Sequence, residues 1–186
     1  LLINASRGGV IDNLALLAHL KRGGDLKVAL DVWEGEPEIN LDLLRQVNIA
    51  SPHIAGYSLE GRLRGTQMVR DGMCRSLGLA LDDSLSTLAV GLSTRSEGRG
   101  TDSLMIETGQ GLEQAILASY QVAEDDKQMR RALGDESGNS GGKTGVLFDG
   151  LRKHYAQRRE FSNYSVSGPG EPAYRGELEL LGFNTH

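Results

Sequence analysis

Arg7, Glu36 and His53 are the side chains through which this sequence could do chemistry. A guanidinium fork holds a carboxylate by two charge-assisted hydrogen bonds and can polarise an adjacent carbonyl. An imidazole beside a carboxylate keeps one tautomer, and can take a proton from a hydroxyl and later return it. Together the three residue types suit reversible oxidation of a 2-hydroxy acid. None of them accepts a hydride, so a nicotinamide cofactor is implied.

These residues need a scaffold that brings them to one edge. The first 80 residues alternate short apolar runs with helical periods, the pattern of βα units around a parallel sheet. Leu1–Ala5 reads as a strand. Asp12 then caps a helix with apolar positions Leu14, Leu17, Ala18 and Leu20, which Gly23 and Gly24 stop. A second strand over Lys27–Val32, a loop from Glu34 to Asn40, a helix over Leu41–Val47 and a third strand over Asn48–Ala50 follow. In such sheets chemistry gathers beyond the carboxyl ends of the strands. Arg7 follows the first strand, Asp31 and Glu36 the second, and His53 the third. A long amphipathic helix from Leu59 to Leu79, carrying Met68, Val69, Met73, Cys74 and Leu77, closes this half.

Beyond Asp82 the composition turns rich in Gly, Ser and Thr, which places a domain boundary near residue 82. The expected division is a partial NAD-binding domain over 1–82, with its crossover helix, and a small α+β module over 83–186. Helices are expected over Gly111–Gln121 and Phe148–Arg159, a strand over Tyr164–Ser167, and a last helix before Leu181. The fold class is therefore α/β, the C-terminal part of a Rossmann-type domain followed by the smaller module.

A net charge of -5 argues against general nucleic-acid binding. No segment approaches the ~20 apolar residues of a membrane span. The single cysteine, Cys74, cannot form an internal disulfide, and a reducing cytoplasm is the expected compartment. Gly109-Gln110-Gly111 and the stretch Ser137–Thr144 fall short of dinucleotide and phosphate loops, and the histidines lack paired ligand spacing, so no metal is expected. The opening Leu1-Leu2-Ile3-Asn4 reads as the body of a strand, without initiator Met or leader. The chain is accordingly expected to be a fragment whose upstream part is missing.

Three ordered motifs resemble the signatures of the D-2-hydroxyacid dehydrogenases. They are Asn4-Ala5-Ser6-Arg7-Gly8-Gly9, Asp31-Val32-Trp33-Glu34-Gly35-Glu36-Pro37, and Ser51-Pro52-His53-Ile54-Ala55-Gly56. The 29 positions from Arg7 to Glu36 and 17 from Glu36 to His53 fit. The continuation Tyr57-Ser58-Leu59-Glu60-Gly61-Arg62, with Phe148–Tyr155 and Arg158–Phe161 further on, is similar to the branch acting on a phosphorylated four-carbon 2-hydroxy acid. By that resemblance the reaction serves pyridoxine and pyridoxal phosphate synthesis. The family resemblance of the motifs also implies that the fragment is a C-terminal one, inactive alone, whose G-x-G-x-x-G turn lies upstream.

The resemblance implies roles residue by residue. Arg7 binds and polarises the substrate, Glu36 orients His53, and His53 is the proton donor or acceptor. Ala5, Ser6 and Arg7 line the NAD site, Asp31 meets the nicotinamide amide, Gly56 lies against the cofactor, and Tyr57 contacts substrate. The second half is implied to be a dimerisation domain, with Leu147, Phe148, Leu151, Tyr155 and Phe161 at a homodimer contact. Two other readings stay open: a phosphoglycerate-type dehydrogenase, and a non-catalytic NAD-sensing dimer.

Overall fold

The computed structural model describes residues 1–81, 102–105, 112–134, 143–156, 158–167 and 174–185. Asp82, Gly109-Gln110-Gly111 and most of Ser137–Thr144 lie outside them. In chain order the elements are β1 (Leu2–Asn4), α1 (Asn13–Lys21), β2 (Val28–Leu30), α2 (Leu41–Gln46), β3 (Ile49–Ala50) and α3 (Leu59–Leu77). Then come β4 (Asp102–Met105), α4 (Leu112–Ser119), α5 (Val122–Leu133), α6 (Thr144–Lys153), β5 (Tyr164–Ser167), α7 (Arg175–Leu181) and β6 (Asn184–Thr185). Packing groups these into two units, Leu1–Gly56 with Gln121–Ala156, and Tyr57–Tyr120 with Gln157–His186. This grouping differs from the division by composition at residue 82, because α5 and α6 pack with the first 56 residues.

The first unit is built on a parallel sheet in the order β1-β2-β3, with Ile3 opposite Ala29 and Ala29 opposite Ile49. Successive strand side chains point to opposite faces. Asn4 is buried while Ile3 is exposed, so the first strand is covered on one face rather than embedded. The caps form as their residue types predict: Asp12 accepts from the Ala15 N–H at 2.8 Å, and Asn40 from the Leu43 N–H at 3.1 Å. Leu30, Trp33, Leu43 and Leu44 form the centre of the core.

Met129, Leu133 and Phe148, from α5 and α6, are fully or almost fully buried in that same core. Helix α5 was not expected from the sequence. Its segment, Val122-Ala123-Glu124-Asp125-Asp126-Lys127-Gln128-Met129-Arg130-Arg131-Ala132-Leu133, carries its buried face on Met129 and Leu133, one turn apart, among charged residues. Helix α6 begins and ends earlier than expected, since Arg158 instead bridges to Ser58 as extended backbone.

The second unit holds a parallel sheet in the order β4-β5-β6, with Tyr164–Ser167 as the strand expected there. Leu178, Val166, Ala115 and Phe183 form its core, and Phe161 stacks on Phe183 with ring centroids 4.5 Å apart. Phe148 and Phe161, expected together at one homodimer contact, instead pack in different cores. Helix α3 buries none of its residues, and Met68, Val69, Met73 and Leu77 stay exposed. Among the described residues no helix is long and apolar enough to cross a membrane.

At the start of α3, Ser58 accepts from the Gly61 N–H at 3.0 Å and bonds Glu160. Glu60 binds Arg159 Nε at 2.6 Å and the Glu160 N–H at 2.9 Å. Burial works to raise the Glu60 carboxyl, but the Glu160 and Glu60 N–H groups and Arg159 outweigh it and hold the group below its ordinary 4.5. A carboxyl depressed on folding contributes stability that is complete above its unfolded value and is lost as pH falls through the lower folded one. Urea midpoints measured from about pH 6 to about pH 3 should therefore fall more steeply in the parent than in Glu60→Gln. Parallel curves would remove Glu60 from the acid response.

Candidate active site

At the carboxyl edge of the first unit's sheet, each strand hands over one of the expected residues. After β1, the buried Asn4 organises the turn: its Nδ2 donates to the Arg7 carbonyl at 3.0 Å, and its Oδ1 accepts from the Ser6 N–H at 3.2 Å and Ser6 Oγ at 2.9 Å. Ala5, Ser6 and Arg7 are held exposed. Arg7 Nη1 donates to the Ser6 carbonyl at 2.6 Å, which engages one of the five N–H donors of its fork. Gly8 has no room for a side chain, because a Cβ there would lie 2.1 Å from the Trp33 carbonyl oxygen. The Arg7 turn therefore abuts the start of the loop that carries Glu36.

That loop follows β2. Trp33 is 1% exposed and its Nε1 donates to the Ser51 carbonyl at 3.0 Å. Glu34 and Asn13 are joined reciprocally, each backbone N–H donating to the other's side chain at 3.1 Å. Glu36 is thereby delivered with both carboxylate oxygens in use. Oε2 accepts from the Trp33 N–H at 3.2 Å, and Oε1 bonds His53 Nδ1. The two side chains are 22% and 26% exposed, so the pair is sheltered yet reachable.

His53 follows β3 by three residues with φ of 56°, in the left-handed region that a non-glycine residue enters at a cost of about 1 kcal/mol. Asp31 holds it there. The His53 N–H donates to the Asp31 carbonyl at 2.7 Å. The Asp31 carboxylate accepts from Ser51 Oγ at 2.6 Å, the Ile54 N–H at 2.8 Å and the Ala55 N–H at 3.1 Å. Asn4, Trp33 and Ser51 are the positioning residues that spacing did not single out. Their signal is present in the motifs, but their use depends on contacts between strands.

The arrangement leaves Nε2 of His53 as the ring nitrogen opposite the Glu36 bond. Arg7 stands two strands away along the edge, about 10 Å at the backbone from strand spacing. Most of the residues expected at the cofactor are accessible there. Ala5, Ser6 and Gly56 are exposed at that edge, and a Cβ on Gly56 would meet nothing within 4 Å. The Asp31 carboxylate takes three donors of the roughly four a carboxylate accommodates. Tyr57 belongs to the second unit, where the Arg62 guanidinium lies 4.2 Å above its ring centroid.

Residues 1–55 match the family "D-isomer specific 2-hydroxyacid dehydrogenase, NAD binding domain", and residues 103–182 match a domain of unknown function. The chain is 45% identical over 193 residues to erythronate-4-phosphate dehydrogenase of Cellvibrio japonicus, covering 98% of this chain and 48% of that protein. It is 44% identical over 190 residues to the same-named protein of Proteus mirabilis, covering 100% of this chain and 46% of the relative. For that of Ectopseudomonas mendocina the identity is 43% over 188 residues, with 99% and 47% covered. The chain thus spans about half the length of these relatives. Residues 1–55 are similar to the NAD-binding domain of the D-isomer specific 2-hydroxyacid dehydrogenases, and the chain is similar throughout to the half of the erythronate-4-phosphate dehydrogenases that it spans.

Proposed function

We propose that the protein containing this chain oxidises 4-phospho-D-erythronate at C2 to 3-hydroxy-2-oxo-4-phosphooxybutanoate, a step of pyridoxine and pyridoxal 5'-phosphate synthesis. The observation that carries the proposal is the Glu36–His53 bond at the sheet edge that also bears Arg7. The relatives' names supply the substrate. Bound NAD supplies the hydride acceptor for the hydrogen on C2. Arg7 holds the substrate carboxylate and polarises the developing C2 carbonyl, while His53 Nε2 takes the C2 hydroxyl proton. Glu36 fixes the imidazole through Nδ1 and supports its positive charge once the proton has arrived. In the reverse direction His53 returns the proton to the carbonyl oxygen. Ala5, Ser6, Asp31 and Gly56 hold the cofactor, and Tyr57 contacts the substrate.

A homodimer joined through the C-terminal half belongs to the same reading. Val146 and Leu147 on α6 are 73% and 40% exposed, and with Ala132, Leu151 and Tyr155 they line an open cleft of about 400 Å³. Apolar side chains so placed suit the centre of a contact.

With the purified protein that contains this chain, rather than the chain alone, 4-phospho-D-erythronate should be turned over in preference to 3-phosphoglycerate. His53→Asn should lower kcat by roughly 10²-fold, the usual size of a general acid-base contribution. NAD binding without turnover of either acid would instead favour a sensing role. Arg7→Lys keeps the charge but not the fork, and should lower kcat/KM about tenfold or more. A value within about twofold of the parent would remove Arg7 as the carboxylate anchor. In light scattering the parent should run as a dimer and the double variant Val146→Asp, Leu147→Asp as a monomer; an unchanged dimer would place the contact elsewhere.

A further inference from the structure

The sheet of the first unit ends at β3, and the outer side of an edge strand presents backbone groups with no strand to receive them. In β3 the inner side is satisfied by β2. The Ser51 N–H, next to Ala50, donates to the Leu30 carbonyl at 2.9 Å. Alternation along a strand turns the Ala50 N–H outward. There it meets a side chain from a helix more than seventy residues later: Asp126 Oδ1 on α5 accepts it at 2.8 Å.

Asp126 is fixed in turn by Arg130, one helical turn further on. Arg130 Nε lies 2.9 Å from both Asp126 oxygens. The same guanidinium donates from Nη1 to the Leu44 carbonyl at 2.6 Å and from Nη2 to the Val47 carbonyl at 3.0 Å, the carbonyls left open where α2 ends. Two side chains of α5 therefore grip both ends of the segment between α2 and β3. Met129 between them is fully buried in the core, so the grip has a rigid base. His53 is three residues beyond Ala50, and the intervening Ser51 is tied to Leu30, Asp31 and Trp33.

We propose that Asp126 and Arg130 are positioning residues for His53: by closing the outer edge of β3 and the end of α2 they fix the register from which the Ser51–His53 turn aims the imidazole at Glu36. The α5 helix then acts as the missing neighbour strand of the catalytic edge. The turnover part of the test rests on the dehydrogenase reading, and the spectroscopic part does not.

The variants are Asp126→Ala, which removes the acceptor and the Arg130 partner, and Asp126→Asn, which keeps an oxygen for the Ala50 N–H. Asp42→Asn is the control, since it breaks only the exposed bonds of Asp42 to Lys21 and Arg45 on α2. In the protein labelled at histidine, the His53 ring resonances, assigned by their loss in His53→Asn, should move in Asp126→Ala. They should move less in Asp126→Asn and stay in place in Asp42→Asn. Turnover should follow the same order, with kcat down about tenfold in Asp126→Ala and KM within about twofold, as a small misplacement of a reacting group predicts. If Asp126→Ala fails to fold, Asp126→Asn and Arg130→Lys carry the test through the same resonances. Unmoved His53 resonances in folded Asp126 variants, or equal movement in Asp42→Asn, would overturn the proposal. Should the parent turn over no 2-hydroxy acid, the dehydrogenase reading falls, and the resonances still decide whether Asp126 places His53.

Discussion

The Asp31 carboxylate, in a residue 7% exposed, is the point on which the site's geometry turns. Burying a carboxylate is costly unless donors replace its water. Here a hydroxyl and two backbone N–H groups do so, all from the five residues Ser51–Ala55. The demand of one buried group thus fixes the path of the whole turn after β3, including the left-handed backbone at His53. Charge-assisted hydrogen bonds of this kind are roughly twice as strong as neutral ones. They offset the local cost of the His53 conformation and leave the imidazole side facing Glu36.

Around that centre the other strands are tied by equally short-ranged devices. Asn4 folds the Arg7 turn, Gly8 lets it lie against the Trp33 carbonyl, and the indole N–H of Trp33 reaches back to Ser51. The Gly8 approach joins the first strand end to the second and the Trp33 bond joins the second to the third, so this edge is a chain of contacts resting on an apolar core. Such a chain is demanding because each buried polar member requires its partner. It also supports the Glu36–His53 pair before any ligand is bound.

The apolar core beneath is completed by residues far along the chain. Met129, Leu133 and Phe148 fill the side of the sheet next to Leu43, Leu44 and Val47. The first 56 residues form βα units that leave an edge strand and a helix end unsatisfied, and α5 satisfies both. Sequence-distant closure of this sort explains why the chain divides by packing differently from the way it divides by composition.

The sequence by itself determined the parallel βα order, the cap at Asp12, the strand at Tyr164–Ser167 and the candidate trio Arg7, Glu36 and His53. Those features are written in local periodicity, turn chemistry and motif spacing, which need no knowledge of distant partners. Tertiary structure alone decided that Asp31 gathers the His53 turn and that Phe148 and Phe161 belong to separate cores. The helix over Val122–Leu133 is polar on average yet amphipathic in sequence, with Met129 and Leu133 one turn apart among charged residues, but where that face lands is not written there. What makes the helix stable and useful is the surface it lands on, with an outward Ala50 N–H, two open carbonyls of α2 and a gap in the core.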